Sequence, residues 1–235
     1  MSRRRPSAPA PATHPPATTV SCPRCARPAA LCICDRVEPV TTRLRVVILQ
    51  HPREDDHALG TAGLVTLTLP AAELRIGLSW ASLGHALGDP AAERERWAVL
   101  AAASLPDGVD PASLPPVALL DRHGAQRDLA QHGLDGILVL DGTWSQAKTL
   151  WWRNPWLTRL PRLVLRPREP SMYGRLRREP RREWVSTLEA IADVLPALGE
   201  PPAVRDSLRR LLRTLLQRTR DAGTTPTRPP SRPRC

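Results

Sequence analysis

Asp141-Gly142-Thr143-Trp144 follows directly on four aliphatic residues, Ile137 to Leu140. A carboxylate in that position can accept a proton or hold the polar edge of a ligand, and the indole beside it can stack on a flat ring. A second set, His51-Pro52-Arg53-Glu54, closes another aliphatic run, Arg43 to Gln50, and a third, Ser186-Thr187-Leu188-Glu189, joins two hydroxyls to an acid. Four of the five cysteines fall as Cys22-x-x-Cys25 and Cys32-x-Cys34, a spacing that can bring four thiolates around one tetrahedral ion. Zinc is the natural ion, and because four cysteines fill its coordination shell its role is structural. A pair of disulfides is the alternative. The opening Met-Ser-Arg-Arg-Arg-Pro lacks the apolar stretch of a secretory signal, which points to a reducing, cytoplasmic compartment and favours the metal.

Each of the other sets also has a plainer reading. Asp141 can simply cap a turn, and a lone His51 beside proline is more often a turn residue than a catalyst. Ser186 and Glu189 have the S-x-x-E spacing of a helix capping box. Trp144, Trp151, Trp152 and Trp156 serve as packing residues in a chain with no Phe and one Tyr; the position of Trp144 beside the acid favours the site, and packing is favoured for the other three.

The elements that must position these residues read as an α/β layered domain. Gly136 to Leu140 suits a central parallel strand, with Asp141 at its carboxyl end, where ligands of open α/β sheets bind. Thr143 and Gln146 fit a capping box that opens the following helix, whose free N–H groups favour anionic parts of a ligand. Arg43 to Gln50 forms another buried strand halted by His51-Pro52, and Thr61 opens a helix over Ala62 to Leu69. Further strands are expected at Leu74 to Trp80, Val117 to Leu120 and Leu163 to Leu165, and a helix at Ala91 to Ala103. A last amphipathic helix carries Val204, Leu208, Leu211, Leu212, Leu215 and Leu216. Residues 1–20, rich in Pro, Ala and Thr, and 221–235 read as disordered tails. Residues 21–38 read as a cysteine knuckle, and 39–220 as the α/β domain.

No apolar run approaches membrane-spanning length. The net charge of +11 suits a polyanionic partner, although 33 of the 34 basic residues are Arg, a pattern that compositional bias also produces. Distribution is more telling. Residues 153–182 hold ten Arg against Glu169 and Glu179, whereas 43–152 hold nine basic and thirteen acidic side chains. The charge is local, as a phosphate-binding face requires, with a solvated basic surface as the alternative.

Taken together, these blocks resemble the DTW-domain family. The resemblance rests on Asp141-x-Thr143-Trp144, with the cysteine pairs, His51-Pro-Arg-Glu54 and Thr61 upstream, and Ser171-Met-Tyr173, Arg175, Arg177 and Ser186-Thr-Leu-Glu189-Ala downstream. It spans about residues 22 to 195. It implies a knotted, SPOUT-like α/β domain with a mainly parallel sheet behind a small zinc knuckle. The implied activity is that of a tRNA-uridine aminocarboxypropyltransferase using S-adenosylmethionine as donor. Asp141, Thr143 and Trp144 are then the catalytic candidates. His51, Glu54, Thr61, Leu140, Ser186, Thr187 and Glu189 are the donor-binding ones. Tyr173, Arg175, Arg177 and Arg178 would contact tRNA, with Tyr173 near the target base. Two roles stay open for Asp141: base for the uridine N3 proton, or hydrogen-bonding holder of the uridine. A SPOUT-type RNA methyltransferase and a non-enzymatic zinc-knuckle RNA binder are the competing readings. The modified uridine, the tRNA species and the oligomeric state are not legible.

Overall fold

The computed structural model describes residues 21–54, 59–100, 108–174 and 185–223. In chain order the strands and α-helices are β1 (Arg45–Gln50), α1 (Ala62–Thr68), β2 (Ala72–Ile76), α2 (Leu83–Leu87), β3 (Trp97–Leu100), β4 (Val117–Leu120), β5 (Gln126–Arg127), β6 (Gly136–Asp141), α3 (Trp144–Arg153), β7 (Arg162–Leu165), α4 (Thr187–Ala197) and α5 (Ala203–Asp221). They build one mixed α/β sheet in the order β2-β1-β6-β3-β7-β4-β5. The first five strands of that order run parallel; β4 and β5 are antiparallel additions at one edge.

Side chains alternate across the strands and feed two cores. Val46, Ile48, Ile137, Val139 and Ala98 join α1, α4 and α5 in one cluster, while Val47, Leu49, Leu138 and Val99 join α2, Trp151 and Leu157 in another. Coverage on both faces explains why these strands are nearly continuous aliphatic runs rather than alternating ones. Gly136 opens β6 because it lies where a Cβ would stand 2.5 Å from the Arg45 carbonyl oxygen and 2.7 Å from the Trp97 ring. Only a glycine lets the central strand start so close to its neighbours. On the other side, α5 turns Val204, Leu208, Leu211, Leu212, Leu215 and Leu216 into the core, each burial contributing about 1.5–3 kcal/mol. Glu200, just ahead of α5, accepts from the backbone N–H groups of Arg43 (3.1 Å) and Leu44 (2.8 Å) and so fixes where β1 begins.

The expected strand at Leu74 to Trp80 is shifted, ending at Ile76. Buried Asn154 draws the following residues out of the sheet: it accepts from the Trp80 N–H at 2.7 Å and donates to the Leu78 carbonyl at 3.1 Å. The helix expected at Ala91 to Ala103 is likewise corrected. Trp97 to Leu100 form the fully buried β3 between β6 and β7, so a place in the sheet overrides the helical propensity of the alanines. Residues 101–103, and the tails apart from Asp221 to Gly223, lie outside the described residues. Asp221 is the last residue of α5. Among the described residues, no helix is long and apolar enough to cross a membrane.

Candidate active site

The carboxyl ends of the central neighbours β1 and β6 meet with Gln50 paired in register to Asp141. The first residue beyond β1 extends the contact, since the His51 N–H donates to the Asp141 carbonyl oxygen at 3.0 Å. Asp141 is only 7% exposed. Its Oδ2 accepts from Gln50 Nε2 at 2.7 Å, and its Oδ1 accepts from the hydroxyl of Thr187, the first residue of α4. Three elements distant in sequence thus converge on one carboxylate. Asp141 is therefore a buried, braced carboxylate.

Gly142 makes the turn possible. Its φ of +148° is disfavoured for L side chains, and a Cβ there would stand 2.9 Å from Gln146 Cβ and 3.4 Å from His51 Cβ. The chain then enters α3 through the anticipated capping box, in which Gln146 Oε1 accepts from the Thr143 N–H at 2.5 Å. Trp144 follows at 41% exposure.

His51 is buried beside Gly142, and its Nδ1 accepts from the Arg53 N–H at 3.1 Å. Burial, then the neighbouring Arg53, lowers its pKa from the usual imidazole range, which favours the neutral ring. Glu54 is also buried, with its N–H donating to the His51 carbonyl at 2.9 Å. Thr61 is buried at the start of α1, and Leu140 packs toward the second core.

Glu189 forms the anticipated capping box with Ser186. Its Oε1 accepts from the Met172 N–H (2.7 Å), and its Oε2 accepts from the Ser171 hydroxyl (2.8 Å), the Ser186 N–H (2.9 Å) and the Ser186 hydroxyl (2.7 Å). Through these protein partners Glu189 braces the two serine motifs against each other. Ser186 completes the capping box with it and is likewise engaged. Tyr173, expected near the target base, is 1% exposed, in the core, and its hydroxyl donates to the Leu59 carbonyl oxygen at 2.6 Å. Arg175, Arg177 and Arg178 lie outside the described residues.

The four cysteine sulfurs lie within 4.8 Å of one another, with Cys22–Cys34 at 3.7 Å and Cys25–Cys32 at 3.8 Å. Four thiolates at about 2.3 Å around a tetrahedral ion stand about 3.8 Å apart, so the donor set fits a metal. None of these four cysteines is in a disulfide. Backbone N–H groups of Cys25 and Arg24 lower the Cys22 pKa to about 6, whereas burial and the neighbouring sulfurs push Cys34 up to about 12. A dication among the sulfurs favours the thiolate at all four. Leu31 and Ile33 sink into the same core as α5, and Arg218 and Arg210 pair with Asp35 and Glu38.

The DTW domain profile matches residues 19–220, most of the chain. This chain belongs to the DTW domain family. Curated relatives named "tRNA-uridine aminocarboxypropyltransferase 2" include one from Mus musculus, 30% identical over 204 residues that cover 83% of this chain and 61% of the relative. A second, from Macaca fascicularis, is 28% identical over 203 residues with the same coverage, and a third, from Drosophila melanogaster, is 29% identical over 221 residues, 89% of this chain and 78% of the relative. The chain thus spans about three fifths of the length of the mouse and macaque proteins. No solved structure matches it.

In this DTW domain the sequence reading missed two residues. Gln50 reads as the end of an aliphatic run, and the signal for its role is a polar residue ending a buried strand beside His51. Arg27 is buried and donates to the Cys25 carbonyl at 3.1 Å and the Gly60 carbonyl at 2.5 Å, joining the knuckle to the residue before Thr61. Nothing in its local pattern distinguishes it from the chain's other arginines. A cleft of about 610 Å³ at the amino ends of the strands is separate from these residues; its Arg45 and Arg96 already pair with Glu73 and Asp135.

Proposed function

We propose that this chain transfers the 3-amino-3-carboxypropyl group of S-adenosylmethionine to N3 of a uridine in tRNA, releasing methylthioadenosine. The observation that carries the reading is the family match across residues 19–220, in a family whose curated relatives bear the aminocarboxypropyltransferase name. The SPOUT relationship with its knot, a structural zinc held by Cys22, Cys25, Cys32 and Cys34, and a cytoplasmic location belong to the same proposal. Paired thiols at metal-ligand spacing support the last two, since such sites suit a reducing compartment.

In this reading the uridine N3 loses its proton and attacks the aminocarboxypropyl carbon bonded to sulfur. That C–S bond breaks with its electron pair going to sulfur, and neutral methylthioadenosine leaves. A sulfonium is already a good leaving group, so the protein acts chiefly by orientation, an effect worth up to about 7–11 kcal/mol. Asp141, held by Gln50 and Thr187, presents a fixed carboxylate edge toward the N3–H, either taking the proton or holding the base by hydrogen bonding. Trp144 offers a face for stacking, a contact worth about 1–3 kcal/mol per base. The neutral His51 ring and Thr143 complete the strand-end surface, with the donor along His51, Thr61 and Leu140. Arg175, Arg177 and Arg178 serve the tRNA backbone.

The sulfur product tests this directly. Incubation with S-adenosylmethionine and tRNA should yield methylthioadenosine in step with modified uridine. S-adenosylhomocysteine in its place would mean methyl transfer, and no turnover with tightly bound tRNA would mean a binding protein.

A further inference from the structure

Helix α5 carries six arginines, and four are matched by acids. Arg205 and Arg209 pair with Asp193, Arg209 also with Glu169, Arg210 with Glu38 and Arg218 with Asp35. Among the described residues, no carboxylate lies within ion-pair distance of the remaining two, Arg213 and Arg220. Both are exposed, as is Gln217 between them. Seven residues separate them, two turns of helix or about 10 Å along its axis, so they project from one side.

This side of α5 borders a cleft. Arg213, Thr214, Leu216, Gln217 and Arg220 line an open space of about 490 Å³ that Met172 also lines. The Met172 N–H is bonded to Glu189, two residues along α4 from Thr187, whose hydroxyl holds Asp141. The cleft therefore adjoins the elements that build the candidate site. Two guanidinium forks with no acid at ion-pair distance among the described residues suit phosphodiester oxygens, while the Gln217 amide between them donates to Asp221 at 2.8 Å and holds that carboxylate away from the forks; the apolar Leu216 and Met172 suit the edge of a ribose.

We propose that Arg213 and Arg220 bind two phosphates of the tRNA backbone and so orient the substrate toward Asp141. The inference rests on the tRNA substrate proposed above. It adds to Arg175, Arg177 and Arg178 a phosphate-binding face on a different element.

Equilibrium tRNA binding between 50 and 200 mM salt tests it, comparing the unaltered protein with Arg213→Ala/Arg220→Ala and Arg213→Lys/Arg220→Lys. Losing two phosphate contacts should lower the slope of log affinity against log salt by about 1.4–1.8. Over that fourfold salt range the unaltered protein should therefore lose about 7–12-fold more affinity than the alanine pair. The lysine pair keeps the charges and should keep the slope. Thermal midpoints of both pairs should match the unaltered protein, because both positions are exposed and alanine favours helix. Normal tRNA binding with an unchanged slope in a folded alanine pair would overturn this face while leaving the tRNA reading intact. Failure of the unaltered protein to bind tRNA would overturn both.

Discussion

Replacing Asp141 by Asn separates the charge of this residue from its shape. The carboxylate is buried and accepts from Gln50 and Thr187. An Asn side chain can keep both contacts by accepting from Gln50 and donating to the Thr187 oxygen, because a hydroxyl works in either direction. Two charge-assisted bonds of about 1.5–3 kcal/mol each become neutral ones of about 0.5–1.5, a loss of about 2 kcal/mol for the pair. Removing a buried charge offsets part of it. For a chain of this size 1 kcal/mol moves the thermal midpoint by about 2–4 °C, so the midpoint should fall by no more than about 8 °C. Transfer should fall far more, by at least about 10²-fold, the lower end of what a positioned proton acceptor contributes. Melting and single-turnover transfer on one preparation measure both quantities. Thr187→Val supplies the comparison: it removes one of the same bonds but keeps the charge, so it should lose less transfer than Asp141→Asn at a similar midpoint. Folded Asp141→Asn protein that transfers within a few-fold of the unaltered rate would refute the role of the charge. Thr187→Val protein slowed equally would shift that role to orientation.

Two further outcomes follow from the same structure. Protein purified without chelator should contain one zinc per chain by elemental analysis, and Cys25→Ser should lose the metal and lower the midpoint; absence of any transition metal would remove the claim. Arg175→Ala with Arg177→Ala should weaken tRNA binding and flatten its salt dependence without changing S-adenosylmethionine affinity, as titrations with each ligand can show, and a loss confined to the donor would reverse that assignment.

The central sheet was legible because its strands are buried on both faces, so Arg45–Gln50 and Gly136–Asp141 appear as aliphatic runs, each ending in a polar motif. Capping boxes were legible for a similar reason: Thr143 with Gln146, and Ser186 with Glu189, satisfy helix-start N–H groups from within four residues. What escaped depends on long-range partners. β3 took residues of good helix propensity because a place between β6 and β7 was available, and β2 ends early because Asn154, 74 residues past Trp80, holds the segment beyond it. The same applies to Tyr173 and Glu189. The family resemblance implies ligand contacts for both, and their hydrogen bonds to Leu59, Ser171 and Met172 join segments that no local pattern links.

Those inward contacts give the family motifs a division of labour that spacing alone conceals. The segment leading from His51 and Glu54 to Thr61 has a carbonyl at Leu59 held by the Tyr173 hydroxyl and one at Gly60 held by Arg27. Arg27 sits two residues beyond Cys25 and also bonds its carbonyl, while Cys22 and Arg27 close the knuckle through the Cys22 N–H to the Arg27 carbonyl at 2.7 Å. The buried Arg27 guanidinium therefore joins the cysteine knuckle to Gly60, just ahead of Thr61. Glu189 acts in parallel, fixing Ser171 and Met172, and hence Tyr173, to the same first turn of α4 that presents Thr187 to Asp141. Buried Arg27, Tyr173 and Glu189 thus brace these segments from within the core. We propose that Asp141, His51, Thr143 and Trp144, gathered at the ends of two adjacent parallel strands, are the groups through which a substrate is met.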